Sequence, residues 1–139
     1  MSRNIPEKLR YQVAAKADFR CEYCLIPAED SFFGFQVDHI ISKKHGGATQ
    51  LDNLAFSCPD CNRHKGSDLA TILDNSDELI RFYHPRLDLW NEHFEIHSTG
   101  YIADKSKIGK ATIKIFDFNH PDRIIERRLL IELGIIKGM

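Results

Sequence analysis

An α+β fold is predicted for this chain by three features. They are an apolar stripe at helical spacing near the N-terminus, a run of aromatic and β-branched residues over 32–41, and a second helical pattern close to the C-terminus. At 139 residues the chain is one domain, or a small domain with an extension. The expected division is a core over 1–75 and a small α+β extension over 76–139 packed on it. A hydrophobic share of 42%, against 28% charged residues, argues against wholesale disorder.

The elements follow in order. Ile5 to Asp18 reads as a helix, with Pro6 in its first turn and Leu9, Val13 and Ala17 four residues apart on one face. Cys21 to Ala28 is a turn closed by Pro27. Phe32 to Ile41 is strand material, with Gly34 marking a bend. Ser42 to Gln50, containing Gly46-Gly47, is a loop, and Leu51 to Leu54 starts a short turn or helix. Asp60 to Leu73 is expected to run on as a helix anchored by Ile72 and Leu73. Ser76 is a candidate N-cap for a helix over Asp77 to Phe82 that Pro85 stops. Leu87 to His97 and Ala111 to Phe118 have strand-like composition, with Gly100 and Gly109 at the turns; Ile113 and Ile115 alternate with Thr112 and Lys114. Pro121 opens a final helix to Leu133, with Ile125, Leu129 and Leu133 as its apolar face and Gly134 as its stop.

Charge alone makes no case for a polyanionic partner, because Lys+Arg 19 against Asp+Glu 20 leaves a net charge of −1. Any phosphate-facing surface must be local. Arg3 to Arg20 is enriched in bases, Lys105 to Lys114 holds four Lys and no acid, and the acids gather over Asp68 to Glu78. The Lys105 run and Arg127-Arg128 read as solvated faces. His84, His93, His97 and His120 lack ligand-like spacing and read as structural, and Trp90 and Phe94 read as core. No apolar run is long enough to span a membrane, and the first residues lack an apolar signal core, so a cytoplasmic protein is expected.

All four Cys fall in two pairs of identical spacing, Cys21-x-x-Cys24 and Cys58-x-x-Cys61. A reducing compartment disfavours structural disulfides. Two such turns close a tetrahedral four-sulfur site, for which Zn2+ is the expected ion. A redox pair or plain buried thiols are the alternatives. A site closed by four thiolates leaves no position for water, so it is a staple and not a catalyst. The 33 residues between the pairs are enough to hold structure of their own.

A second set of polar residues lies between and beside the pairs: Asp38-His39, Asn53, and Asn62-Arg63-His64-Lys65 directly after Cys61. A hard cation needs oxygen ligands, and hydrolysis of a phosphodiester needs a base for water. Asp38 offers the first and His39 the second. Asn62 offers a carbonyl oxygen as a further ligand. Taken together, Cys21-x-x-Cys24, Val37-Asp38-His39-Ile40-Ile41, Gly46-Gly47, Leu51-Asp52-Asn53-Leu54 and Cys58-x-x-Cys61-Asn62-x-x-Lys65-Gly66 resemble an HNH endonuclease of the zinc-stapled ββα-metal type. The resemblance covers about half the chain. Phe82 to Arg86 and Trp90 to Phe94 also resemble the extension found in one bacterial branch of that family.

The resemblance implies roles. His39 takes the place of the general base. Asp38 takes that of the metal-binding carboxylate. Asn53 takes that of the middle Asn, which braces the loop that orients the base. Asn62 takes the final place, where many relatives carry His, and becomes the second ligand to Mg2+ or Mn2+; an oxygen donor there favours a harder ion. His64 could be read as the final His, but Asn62 directly follows Cys61, as the motif requires. Lys43, Lys44, Arg63 and Lys65 are candidates to hold flanking phosphates. The implied activity is one-metal hydrolysis of DNA, with double-stranded DNA as partner. The competing expectation is a zinc module that binds nucleic acid or protein without cutting.

Overall fold

The computed structural model describes residues 5–28 and 34–138. Among them the elements are mixed, with three two-stranded antiparallel sheets and five α-helices, as an α+β chain requires. No helix among the described residues is long and apolar enough to cross a membrane. The chain divides into two compact units, 1–68 with 84–86, and 69–83 with 87–139.

The first unit opens with α1 (Glu7–Lys16), entered through Pro6. Leu9, Val13 and Ala17 lie on its inner face as the spacing predicts, and Val13 is fully buried. Asp18 and Phe19 then take left-handed conformations, which reverse the chain toward Cys21. Strand β1 (Gln36–His39) pairs with β2 (Leu54–Ser57), with Asp38 opposite Ala55 and His39 opposite Leu54. The part of the expected strand over Phe32 and Phe33 lies outside the described residues. Ile5, Val13, Ala14, Val37, Leu54 and Phe56 form the core between α1 and this pair. Helix α2 (Pro59–Lys65) follows β2 directly, which completes the ββα arrangement the motif implied.

Here the structure corrects one expectation. The helix stops at Gly66, and Ala70–Ile72 is instead strand β3 of the second unit. Gly66 sits at φ +52, a conformation glycine reaches without strain.

The second unit contains further corrections. Asp77 to Phe82 is not helical: Leu79–Arg81 is β4, paired with β3, and Ser76 accepts a bond from the Glu78 amide in the turn between them. Leu87 to His97 is not one strand but a short helix, α3 (Trp90–His93), followed by β5 (Phe94–Ile96), which pairs with β6 (Ile102–Asp104). Ala111 to Phe118 is not a strand either. Lys107–Phe116 is α4, capped by Ser106, whose hydroxyl accepts from the Gly109 amide. Its buried set, Ala111, Thr112 and Phe116, follows helical spacing, which prevails over the two-residue alternation of the isoleucines. Gly109 is thus a helix residue and not a turn. Its position carries no side chain because a Cβ there would stand 2.1 Å from the His93 carbonyl oxygen.

The last helix, α5 (Pro121–Glu132), is where it was expected but buries a different face. Ile125, Leu129 and Leu133 are exposed, while Arg123 and Arg127 are buried. Arg127, read from the sequence as solvated, is fully buried. Its Nε donates to the Gly100 carbonyl at 2.7 Å and its Nη2 to the Phe118 carbonyl at 2.5 Å. Arg123 donates to the carbonyls of Phe116 and Asp117 at 2.6 and 3.0 Å. The end of a helix leaves carbonyls without partners, and guanidinium groups satisfy them where water is excluded. That requirement selects the arginine face over the aliphatic one. The Lys105 run does remain a solvated face: Lys107 and Lys110 pair with Glu78 and Asp74, so the acidic and basic clusters face each other.

Candidate active site

The four thiols come together as their spacing predicts. Cys21, Cys24, Cys58 and Cys61 are all buried and unoxidised, with their sulfur atoms within 4.8 Å of one another. Each pair is shaped by a tight turn. The Cys24 amide donates to Cys21 Sγ, and the Cys61 amide donates to Cys58 Sγ, the N-cap of α2. Pro59 at the first helical position needs no amide partner, so the second pair is built into the helix start. Side-chain bonds to Cys21 and Cys24 push the Cys58 thiol well above its ordinary range, and burial does the same for Cys61. Cys58 and Cys61 therefore favour their protonated forms unless a cation replaces the protons. The cluster fits structural zinc.

Beside the staple, β1 ends at Asp38 and His39. Alternation along a strand sends neighbours to opposite faces, yet both residues line one open cleft of about 410 Å³. The cleft spans the end of β1. Its other walls are Ser42, Lys43, Lys44, Asn62, Gly66 and Ser67. Asp38, His39 and Asn62 are thus brought to one place by β1 and α2, with Lys43 and Lys44 on the same wall. Asp38 Oδ1 accepts from the His39 amide at 2.9 Å.

Asn53 does not line the cleft. It is buried and spans the loop instead. Its Oδ1 accepts from the Ile41 amide, and its Nδ2 donates to the carbonyls of Ile41 and Ala48, each at 2.9 Å. Gly47 makes that brace possible, because a Cβ there would fall 1.7 Å from the Ile41 carbonyl oxygen.

The imidazole of His39 is buried, with Nε2 2.9 Å from the Thr49 hydroxyl. Burial lowers its pKa below the ordinary value of 6.5; the Asp38 carboxylate opposes that shift and Lys43 adds to it. A neutral ring is favoured, as proton uptake from water requires.

The two remaining basic candidates do not line the cleft. Arg63 is exposed and paired with Asp60 at 2.8 Å. Lys65 is not an exposed cation but is buried, with no hydrogen-bond partner for Nζ. It lines a second, very small cavity of about 10 Å³ together with Tyr23, Asp38, His39, Ala55, Ser57 and Asn62. Burial lowers its pKa from 10.5.

The sequence reading missed two residues here. Thr49 lies in the Gly-Gly loop with no pattern to mark it. Glu22, between the first two thiols, binds Arg86 through paired 2.7 Å bonds and accepts the Phe56 amide. Its only signal was an acid inside an otherwise apolar turn.

Residues 21–68, roughly a third of the chain, match the family model described as HNH endonuclease. No curated protein and no solved structure matches the chain.

Proposed function

Starting from the HNH endonuclease domain at residues 21–68, we propose that this protein hydrolyses phosphodiester bonds of double-stranded DNA, with His39 as general base. The observation that carries the reading is the shared cleft. His39, with its buried, neutral-leaning imidazole, lines one space together with Asp38, Asn62, Lys43 and Lys44.

Asp38 and Asn62 would hold Mg2+ or Mn2+, since both line the cleft and both side chains carry oxygen donors. The cation would supply electrostatic stabilisation of the charge that builds on the phosphoryl and leaving oxygens. The chain's own groups do the rest. His39 takes a proton from water as that water attacks phosphorus. Asn53 keeps the neighbouring loop in place. Lys43 and Lys44 hold phosphates on either side of the scissile one. The four-Cys staple keeps α2, and with it Asn62, beside β1. Four reduced thiols suit a cytoplasmic location.

Incubation of supercoiled plasmid with zinc-loaded protein and Mg2+ or Mn2+, beside His39→Ala, tests this. Nicking by the parent and its loss in the variant are expected. Equal nicking by both overturns the assignment of the base. Retarded plasmid without nicking points instead to a binding module.

A further inference from the structure

We infer that Thr49 is a positioning residue for His39: its hydroxyl accepts the Nε2–H of the imidazole and so keeps Nδ1 unprotonated, as the nitrogen that takes the proton. This rests on His39 being the general base.

Nε2 and the Thr49 hydroxyl are 2.9 Å apart, and His39 as a whole residue is 4% exposed. The hydroxyl is also held by its backbone. Asn53 binds the carbonyl of Ala48, the residue just before Thr49, and Gly47 is pressed against the Ile41 carbonyl on the other side. One brace therefore sets both the loop and the oxygen that meets the ring.

A neutral imidazole carries one N–H and one lone pair, and its hydrogen-bond partner selects which nitrogen holds which. A threonine hydroxyl can serve either way. If it donated, Nε2 would have to offer its lone pair to the hydroxyl and Nδ1 would carry the proton, leaving the ring no free lone pair with which to take a proton from water. If it accepts, Nδ1 keeps the lone pair. When water gives up a proton, its O–H bond breaks and an Nδ1–H bond forms, while hydroxide goes on to phosphorus. Nε2–H stays where it was and its bond to Thr49 becomes charge-assisted. Only the accepting direction survives both protonation states of the ring without rearrangement.

Nitrogen-15 NMR of the zinc-loaded protein at pH 8 tests this, with the His39 signals identified by their loss in His39→Ala. The Nε2–H tautomer is expected in the parent. Thr49→Val should give a mixture of tautomers and lower the nicking kcat by roughly tenfold, with KM for plasmid within about twofold. Thr49→Ser should restore both. Zinc content and Tm show that the variants fold; if Thr49→Val does not, the parent spectrum and Thr49→Ser still decide. An Nδ1–H tautomer in the parent, or a Thr49→Val protein with unchanged tautomer and rate, overturns the inference. If His39→Ala nicks like the parent while the Nε2–H tautomer is seen, it is the base assignment that falls, and not the hydrogen-bond direction.

Discussion

Arg86 and Glu22, 64 residues apart, form a two-pronged ion pair with both distances at 2.7 Å and both side chains about a tenth exposed. Arg86 Nε also donates to the Leu51 carbonyl, and Glu22 accepts the Phe56 amide. The pair thus joins segment 84–86 to the first Cys turn and to β2, all within one unit. Planar guanidinium-to-carboxylate pairing suits such a site better than a lysine would.

Removing one partner leaves a charge with poor access to water. Arg86→Ala should lower the unfolding free energy by about 3 kcal/mol. Chemical denaturation of Arg86→Ala, Glu22→Gln and the double variant checks this. Strongly sub-additive losses are expected. Additive losses below about 0.5 kcal/mol each would show that the pair contributes nothing.

The thiol cluster is predicted to be the staple of the first unit. Cys58→Ala should lose its zinc and melt well below the parent, because the energy of filling such a site is folding energy. Metal analysis together with a thermal scan reads both. A variant that keeps one zinc per chain and melts like the parent would rule out a four-sulfur site.

Lys65 makes the opposite prediction. Its ammonium is buried without a hydrogen bond, so Lys65→Met should leave stability unchanged or raise it by about 1 kcal/mol. The sign with pH follows from burial, which lowers the folded pKa below 10.5, with Asp38 and Asp68 pulling the other way. The strain of holding the charge is fully present below the folded pKa. It is relieved as the pH climbs from there toward 10.5, because only the folded state has shed its proton in that window. The gap between variant and parent should narrow accordingly in urea titrations at pH 7 and pH 10. A variant less stable than the parent by more than about 1 kcal/mol at pH 7 contradicts the buried-charge account.

The pH dependence of cleavage follows from His39. Burial lowers its pKa, so the ring is still mostly neutral at pH 6.5 and the acid limb of the nicking rate should lie below that value. Lys43→Met should move the limb upward, since a neighbouring cation that disfavours the imidazolium is gone. The same shift weakens the fold on acidification: the unfolded chain binds this proton first, so stability is lost as the pH falls through 6.5 and none is lost above it. Rates between pH 5 and 8 measure the limb. A midpoint above 6.5 would contradict the burial argument.

The first unit was readable because its determinants are local. Two Cys separated by two residues make a turn that can hold a metal wherever it stands, and Asn62 is placed by following Cys61 on the same helix. Asn53 was expected as a loop brace from the resemblance, and an Asn in a turn finds backbone partners nearby in any case. The second unit was misread where two periods competed. Ile113 and Ile115 alternate like a strand, but Ser106 caps a helix seven residues earlier, and Thr112 returns a hydrogen bond to Ile108, as a helical threonine does. In α5 the aliphatic stripe was the obvious inner face, and the arginines took it.

From sequence alone came the two Cys turns, each written within four residues whose geometry the covalent chain dictates, while the strand–strand–helix order and the candidate set Asp38, His39 and Asn62 came from the resemblance of the motif as a whole. Tertiary structure alone decided that Thr49 meets His39, that Glu22 meets Arg86, that Lys65 is shut away from solvent and that Arg127 is buried. Those outcomes depend on which distant carbonyl, carboxylate or ring stands opposite once water is excluded, and the free energy of burying a polar group is set by that partner.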